Sequence, residues 1–161
     1  MATWQFDLHY LPQRSVLRAF EGIPVKITTD QFNATRWWAS LEPLPDWLNS
    51  AFAKILPAAD SWSADIKTWG FSDGDRIDIV FENGHPQDVF VRIDVRKVSY
   101  AFVIELVRIA KENDWLFLSE GGEVLRPAFR EVMFAIKRSD AFRFVENPEE
   151  FLQELERERK G

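Results

Sequence analysis

Cysteine is absent from the 161 residues, and its absence removes disulfides, thiolate metal ligands and cysteine nucleophiles together. Histidine occurs twice, as His9 and His85; no second histidine lies at metal-ligand spacing and no nucleophile sits at a recognisable elbow, so solvated imidazoles are the simplest reading. Glycine is sparse, and the doublet Gly121-Gly122 lacks both the spacing and the lysine of a phosphate-binding loop. The Asp-rich stretch SDGDRID at 72–78 places Arg76 among the would-be ligands of a calcium loop and reads as a turn. No metal and no cofactor is expected.

Long apolar runs are missing as well. None approaches the roughly 18 residues that a membrane span requires, and MATWQFDLHYLPQR lacks a basic start followed by an apolar stretch. A cytoplasmic protein without membrane contact is expected. There is also no basic block: the net charge is −6, and the basic residues Arg126, Arg130, Lys137, Arg138 and Arg143 are interrupted by Glu123, Glu131 and Asp140. Clustered Lys and Arg supply nucleic-acid affinity, so nucleic acid is not the expected partner, whereas a neutral or basic protein is electrostatically easier.

What is present is apolar and aromatic. With 46% hydrophobic residues, including seven Trp and 14 Phe, the chain can build a core without staples and reads as a single α+β domain over 1–161. The expected architecture is an antiparallel sheet of four to five strands, centred on a meander at 62–96, with helices packed on one face. Thr3 to Tyr10 alternates as a half-buried strand. Pro12 opens a short helix that Gly22 stops. Thr28 with Gln31 forms a capping box for a helix reaching about Leu41, and Asp46 caps another in which Leu48, Ala51, Phe52, Ile55 and Leu56 share a face. Ser99 to Asn113 is a helix, WLFLS at 115–119 a strand, and Pro127 to about Arg138 a helix. Asn147 caps a last helix that frays after Leu155.

In the meander, Ile79 opposite Val91 and Ile66 opposite Ile79, with Ser72-Asp73 as a two-residue turn, leave two outer rows: Lys67-Asp78-Arg92 and Trp69-Arg76-Asp94. Opposite charges stand side by side there, which suffices to stabilise an exposed face. The same face is the candidate binding surface: Trp69, Arg76, Asp78, Phe90, Arg92 and Asp94, with Trp47 as a further exposed aromatic, because Trp and Arg anchor interfaces. Each of Asp65, Asp78 and Asp94 has a cationic neighbour that would keep it ionised, so no catalytic residues are assigned. Trp37 and Trp38 fall on one apolar helix face with Ala34 and Leu41 and read as core.

The leading expectation is therefore an acidic protein-binding module of the immunity, adaptor or regulatory kind. The alternatives are an enzyme with an acid/base pocket, built on His9 with Asp7 or on a buried carboxylate, and a homo-oligomer subunit.

Overall fold

The computed structural model describes residues 3–39 and 44–161. In chain order the elements are β1 (Gln5–Pro12), α1 (Gln13–Phe20), α2 (Thr29–Ala34), α3 (Trp47–Ile55), β2 (Ala58–Ala59), β3 (Ile66–Gly70), β4 (Arg76–Glu82), β5 (His85–Asp94), α4 (Tyr100–Asn113), β6 (Trp115–Ser119), β7 (Val124–Leu125), α5 (Phe129–Arg138), α6 (Asp140–Glu146) and α7 (Pro148–Lys160). The fold is α+β, with the strands in one antiparallel sheet ordered β2-β3-β4-β5-β1-β6-β7. The sheet thus has seven strands among the described residues, not four to five. The extra ones, β2 and β7, are two residues long and too short to show a period.

Phe6, Leu8 and Tyr10 of β1, Ile77 and Ile79 of β4, and Val89, Val91 and Ile93 of β5 are buried in one continuous core. Two helices show which face this is. The Tyr10 hydroxyl donates to the Leu106 carbonyl of α4 at 2.8 Å, and Phe52 of α3 packs edge-on against Trp69 at 5.3 Å. The other face is partly covered by α2, whose Phe32 lies 4.7 Å from the His9 ring. With Gln5 and Asp7 also buried, β1 is a central strand covered on both sides and not a half-buried one.

The meander register differs from the expected one for two local reasons. Asn83 and Gly84 both adopt positive φ, 51° and 79°, and make a two-residue turn in which His85 pairs with Glu82. His85-Pro86 therefore belongs to β5. A bulge then skips Gln87 and sets Ile79 opposite Val89, so that apolar meets apolar again. At the other hairpin the loop is 71–75, closed by the Phe71 amide on the Asp75 carbonyl at 3.0 Å, and Gly70 pairs with Arg76. This one-residue slip turns β3 over: Trp69 faces Ile77 in the core, 5% exposed, and Thr68 takes the outer position.

Two helix ends and one cap also depart from expectation. The Thr28 capping box is present, but α2 ends at Ala34, so Trp37 and Trp38 are not helical; Leu41 lies outside the described residues. Both tryptophans are nevertheless core. Trp37 stacks between Phe20 and Phe32 and donates its indole N–H to the Phe32 carbonyl, while Trp38 meets Trp115 edge to face at 5.0 Å. Asp46 precedes α3 but makes no side-chain cap bond. The last helix continues to Lys160 instead of fraying after Leu155, and α6, a seven-residue helix, lies between α5 and α7 where no element was expected. Among the described residues, no helix is long and apolar enough to cross a membrane.

Candidate functional site

Because the slip applies only to β3, most of the candidate residues remain on the outer sheet face. Arg76 and Asp78 of β4 and Phe90, Arg92 and Asp94 of β5 alternate with core residues and are all part-exposed. Trp69 does not join them, being buried against Phe52. Lys67 turns inward-side with Ile79 and sits over the Phe81 ring. Trp47 is 42% exposed but belongs to α3, on the opposite side of the sheet from Phe90.

The rows across this face run Thr68-Asp78-Phe90-His9 and Gly70-Arg76-Arg92-Asp7. Arg76 and Arg92 are therefore directly opposed, where alternating charge was expected. Each is balanced by its own carboxylate: Arg76 Nε donates to Asp78 two residues along the strand, at 2.9 Å, and Arg92 Nε donates to Asp7 across it, at 3.1 Å. Asp78 also accepts from the Thr68 hydroxyl at 2.6 Å. His9 is not a solvated imidazole. Its Nδ1 is 2.9 Å from Asp88, and its ring is held between Phe32 and Phe90.

Asp94 is tied differently again. Burial opposes its charge, but bonds from the Arg96 side chain and amide outweigh that and hold its carboxyl below the ordinary value. Arg96 in turn lies 4.6 Å over Trp4 and donates to the Asp73 carbonyl. The neighbouring Asp75 carboxyl is raised, by burial first and by the Asp94 charge, although it accepts the Asp94 amide.

With Asp7 only 8% exposed, its ion pair with Arg92 matters. Arg92→Ala is expected to cost about 2 to 3 kcal/mol, less than for a fully buried pair because both groups retain some water. Urea melts of the two proteins measure it.

A second place was not visible in the sequence. Where the β1–β6 pairing ends, beside α5, α6 and α7, a cleft of about 620 Å³ opens, lined by Phe6, Glu120, Arg138, Asp140, Phe144 and Phe151 among others. Glu120 follows β6, and its amide donates to the Asp7 carbonyl at 3.1 Å. It keeps solvent contact at the cleft mouth, yet loss of hydration, then the Asp7 charge and more weakly Asp140, raise its carboxyl to about 7. The folded state therefore holds this proton more tightly than the unfolded chain. That contribution to stability is complete below the ordinary value of 4.5 and is lost as pH rises through about 7. Glu120→Gln is expected to remove this loss, stabilising the protein by about 1 kcal/mol at pH 8, a figure reduced for solvent screening, and by little at pH 4. Denaturant melts at the two pH values measure the difference.

Among the described residues no group of three or more His, Cys, Asp and Glu side chains could hold a metal ion. No known family, curated protein or solved structure matches the chain.

Proposed function

We propose that the protein is a small acidic protein-binding module of the immunity, adaptor or regulatory kind, meeting its partner through the outer sheet face without a cofactor. The observation that carries this reading is the fixed Arg-aromatic pair at the centre of that face. The Arg92 guanidinium is already bonded to Asp7 and lies 5.4 Å over the Phe90 ring, with Arg76 opposite it in the next strand. Arg and aromatic residues dominate interface energetics, and side chains ordered before binding lose less entropy on association. A rigid central strand pair is a suitable support for such a patch.

The test is affinity capture from lysate of the native host with wild type and with Phe90→Ala/Arg76→Gln, both substitutions at part-exposed positions, alongside a thermal melt to establish folding. At least a tenfold loss of the captured partner is expected. An unchanged partner set with the folded variant would remove this surface from consideration.

One observation favours a second reading, an enzyme with an acid/base pocket. Glu120, its carboxyl raised to about 7 by burial first, lies beside the carboxylate of Asp7, which Arg92 pairs, and a carboxyl raised toward neutrality in a cleft is a candidate general acid or base.

A further inference from the structure

We propose that the cleft between the ends of β1 and β6 and the helices α5, α6 and α7 binds a small organic cation, an ammonium or guanidinium group carried on an apolar alkyl or aryl stem. The inference rests on the cleft alone and does not depend on the outer-face reading.

Size and lining give the stem. A cleft of about 620 Å³ falls within the roughly 300 to 1,000 Å³ of small-ligand sites, which combine a mostly apolar wall with a few placed polar groups. Its wall includes Phe6, Ala135 and Ala141, all buried, and the half-buried rings of Phe144 and Phe151, which hold each other edge to face at 6.0 Å.

Charge gives the head group. Among the described residues three carboxylates line the cleft, Glu120, Glu123 and Asp140, against one cation, Arg138. Arg138 is bound to Glu123 at 2.8 Å. Arg143, beside the cleft on α6, is bound to Glu154 and stands 3.8 Å from Asp140, while Asp7 is satisfied by Arg92. Glu120 is left with no cationic partner among the described residues. An anion would meet three carboxylates, and a neutral apolar ligand would leave Glu120 unpaired while removing its water. A cation with an apolar stem satisfies both requirements and gains from the aromatic walls.

The chemistry also sets a pH response. The charged groups that act on Glu120 are Asp7 on β1 and Asp140 on α6; Glu123 of the β6–β7 turn and Arg138 of α5 share the cleft lining, and Arg143 of α6, beside it, is bound to Glu154. Proton uptake by Glu120 removes the carboxylate charge that would meet the cation, so the cation binds more weakly as pH falls through about 7.

The experiment is an amide NMR titration of the full chain with phenethylammonium, phenylacetate and 2-phenylethanol at pH 8 and pH 6. Phenethylammonium is expected to shift the amides of Ser119, Glu120, Ala141 and Phe144 saturably in the millimolar range. It should bind at least tenfold tighter than phenylacetate or phenylethanol and several-fold tighter at pH 8 than at pH 6. Glu120→Gln, checked for folding by a denaturant melt, is expected to weaken binding at least fivefold and to flatten the pH response. Phe151→Ala, on the outer helix, should weaken it several-fold without changing the pH response. Absence of saturable shifts at 10 mM, equal binding of the anion, or wild-type affinity in Glu120→Gln would each overturn the proposal. So would a tenfold preference for N-acetyl-phenylalanyl-arginine amide over the free ammonium, since that would make the occupant a protein segment.

Discussion

Replacing Trp115 by alanine is expected to destabilise the protein by about 3 to 5 kcal/mol, the range for deleting a large aromatic from a packed core. Trp115 is 2% exposed, and it joins two parts of the molecule. Its ring lies 5.3 Å from Tyr10 in the central strand and 5.0 Å from Trp38, which follows α2 by four residues. The indole also anchors the start of β6, where it pairs with Pro12. Collapse around the vacancy is hindered because Tyr10 is itself fixed by its bond to Leu106, so the cavity term should be large. Since small domains are stable by only about 5 to 15 kcal/mol, this one change removes a large part of the total. Urea denaturation should show a much lower midpoint with little change in slope. A loss below about 1.5 kcal/mol would mean that the site repacks.

Gly70→Ala is expected to cost about 2 to 4 kcal/mol, whereas Gly84→Ala should cost about 1 kcal/mol or less. Both glycines have positive φ, 101° and 79°, so backbone preference alone would penalise them similarly. Their surroundings differ. A Cβ on Gly70 would lie 2.2 Å from the Asp75 carbonyl oxygen and 3.0 Å from Leu56, while one on Gly84 would meet nothing within 4 Å. The clash at Gly70 is with backbone that closes the 71–75 loop, and Gly70 also donates its amide to the Pro57 carbonyl at 2.8 Å, so neither side can yield cheaply. Equal melting midpoints for the two variants would refute the argument.

The same glycine shows where the sequence misleads. Ser-Asp-Gly between two alternating runs reads as a tight turn, and a two-residue turn places Trp69 outside beside Arg76. The true turn is longer because Gly70 can adopt a conformation closed to other residues, a property that hydrophobic alternation does not carry. One residue of slip then exchanges the faces of β3, and Trp69 moves from candidate anchor to core. β4 and β5 were legible because Ile77, Ile79, Val89, Val91 and Ile93 alternate cleanly, and the bulge at Gln87 preserves that alternation. Hence Arg76, Asp78, Phe90, Arg92 and Asp94 do share a face, although with different partners.

The helices with local start signals were also legible. Thr28 and Asn147 each accept a first-turn amide as their sequence context implies, and Ser99, where a helix was expected to begin, does the same. The Glu120 cleft was not, because it depends on β1 lying between β5 and β6. That pairing brings Asp7 and Glu120 together across more than a hundred residues, and nothing local to either residue records it.

The two shortest strands have a consequence for how the protein behaves in concentrated solution. A sheet ends in rows of unpaired amides and carbonyls that can recruit another chain, and long flat edges promote such growth. Here one border is Ala58–Ala59, preceded by Pro57, which has no amide to offer. The other is Val124–Leu125, where the Val124 amide is already taken by the Val25 carbonyl and Lys26 bridges to Glu123. β2 covers Thr68 and Trp69 of β3, and β7 covers Phe117 and Leu118 of β6, so the edge left at each border of the described residues is short and interrupted, a poor template for strand-by-strand growth.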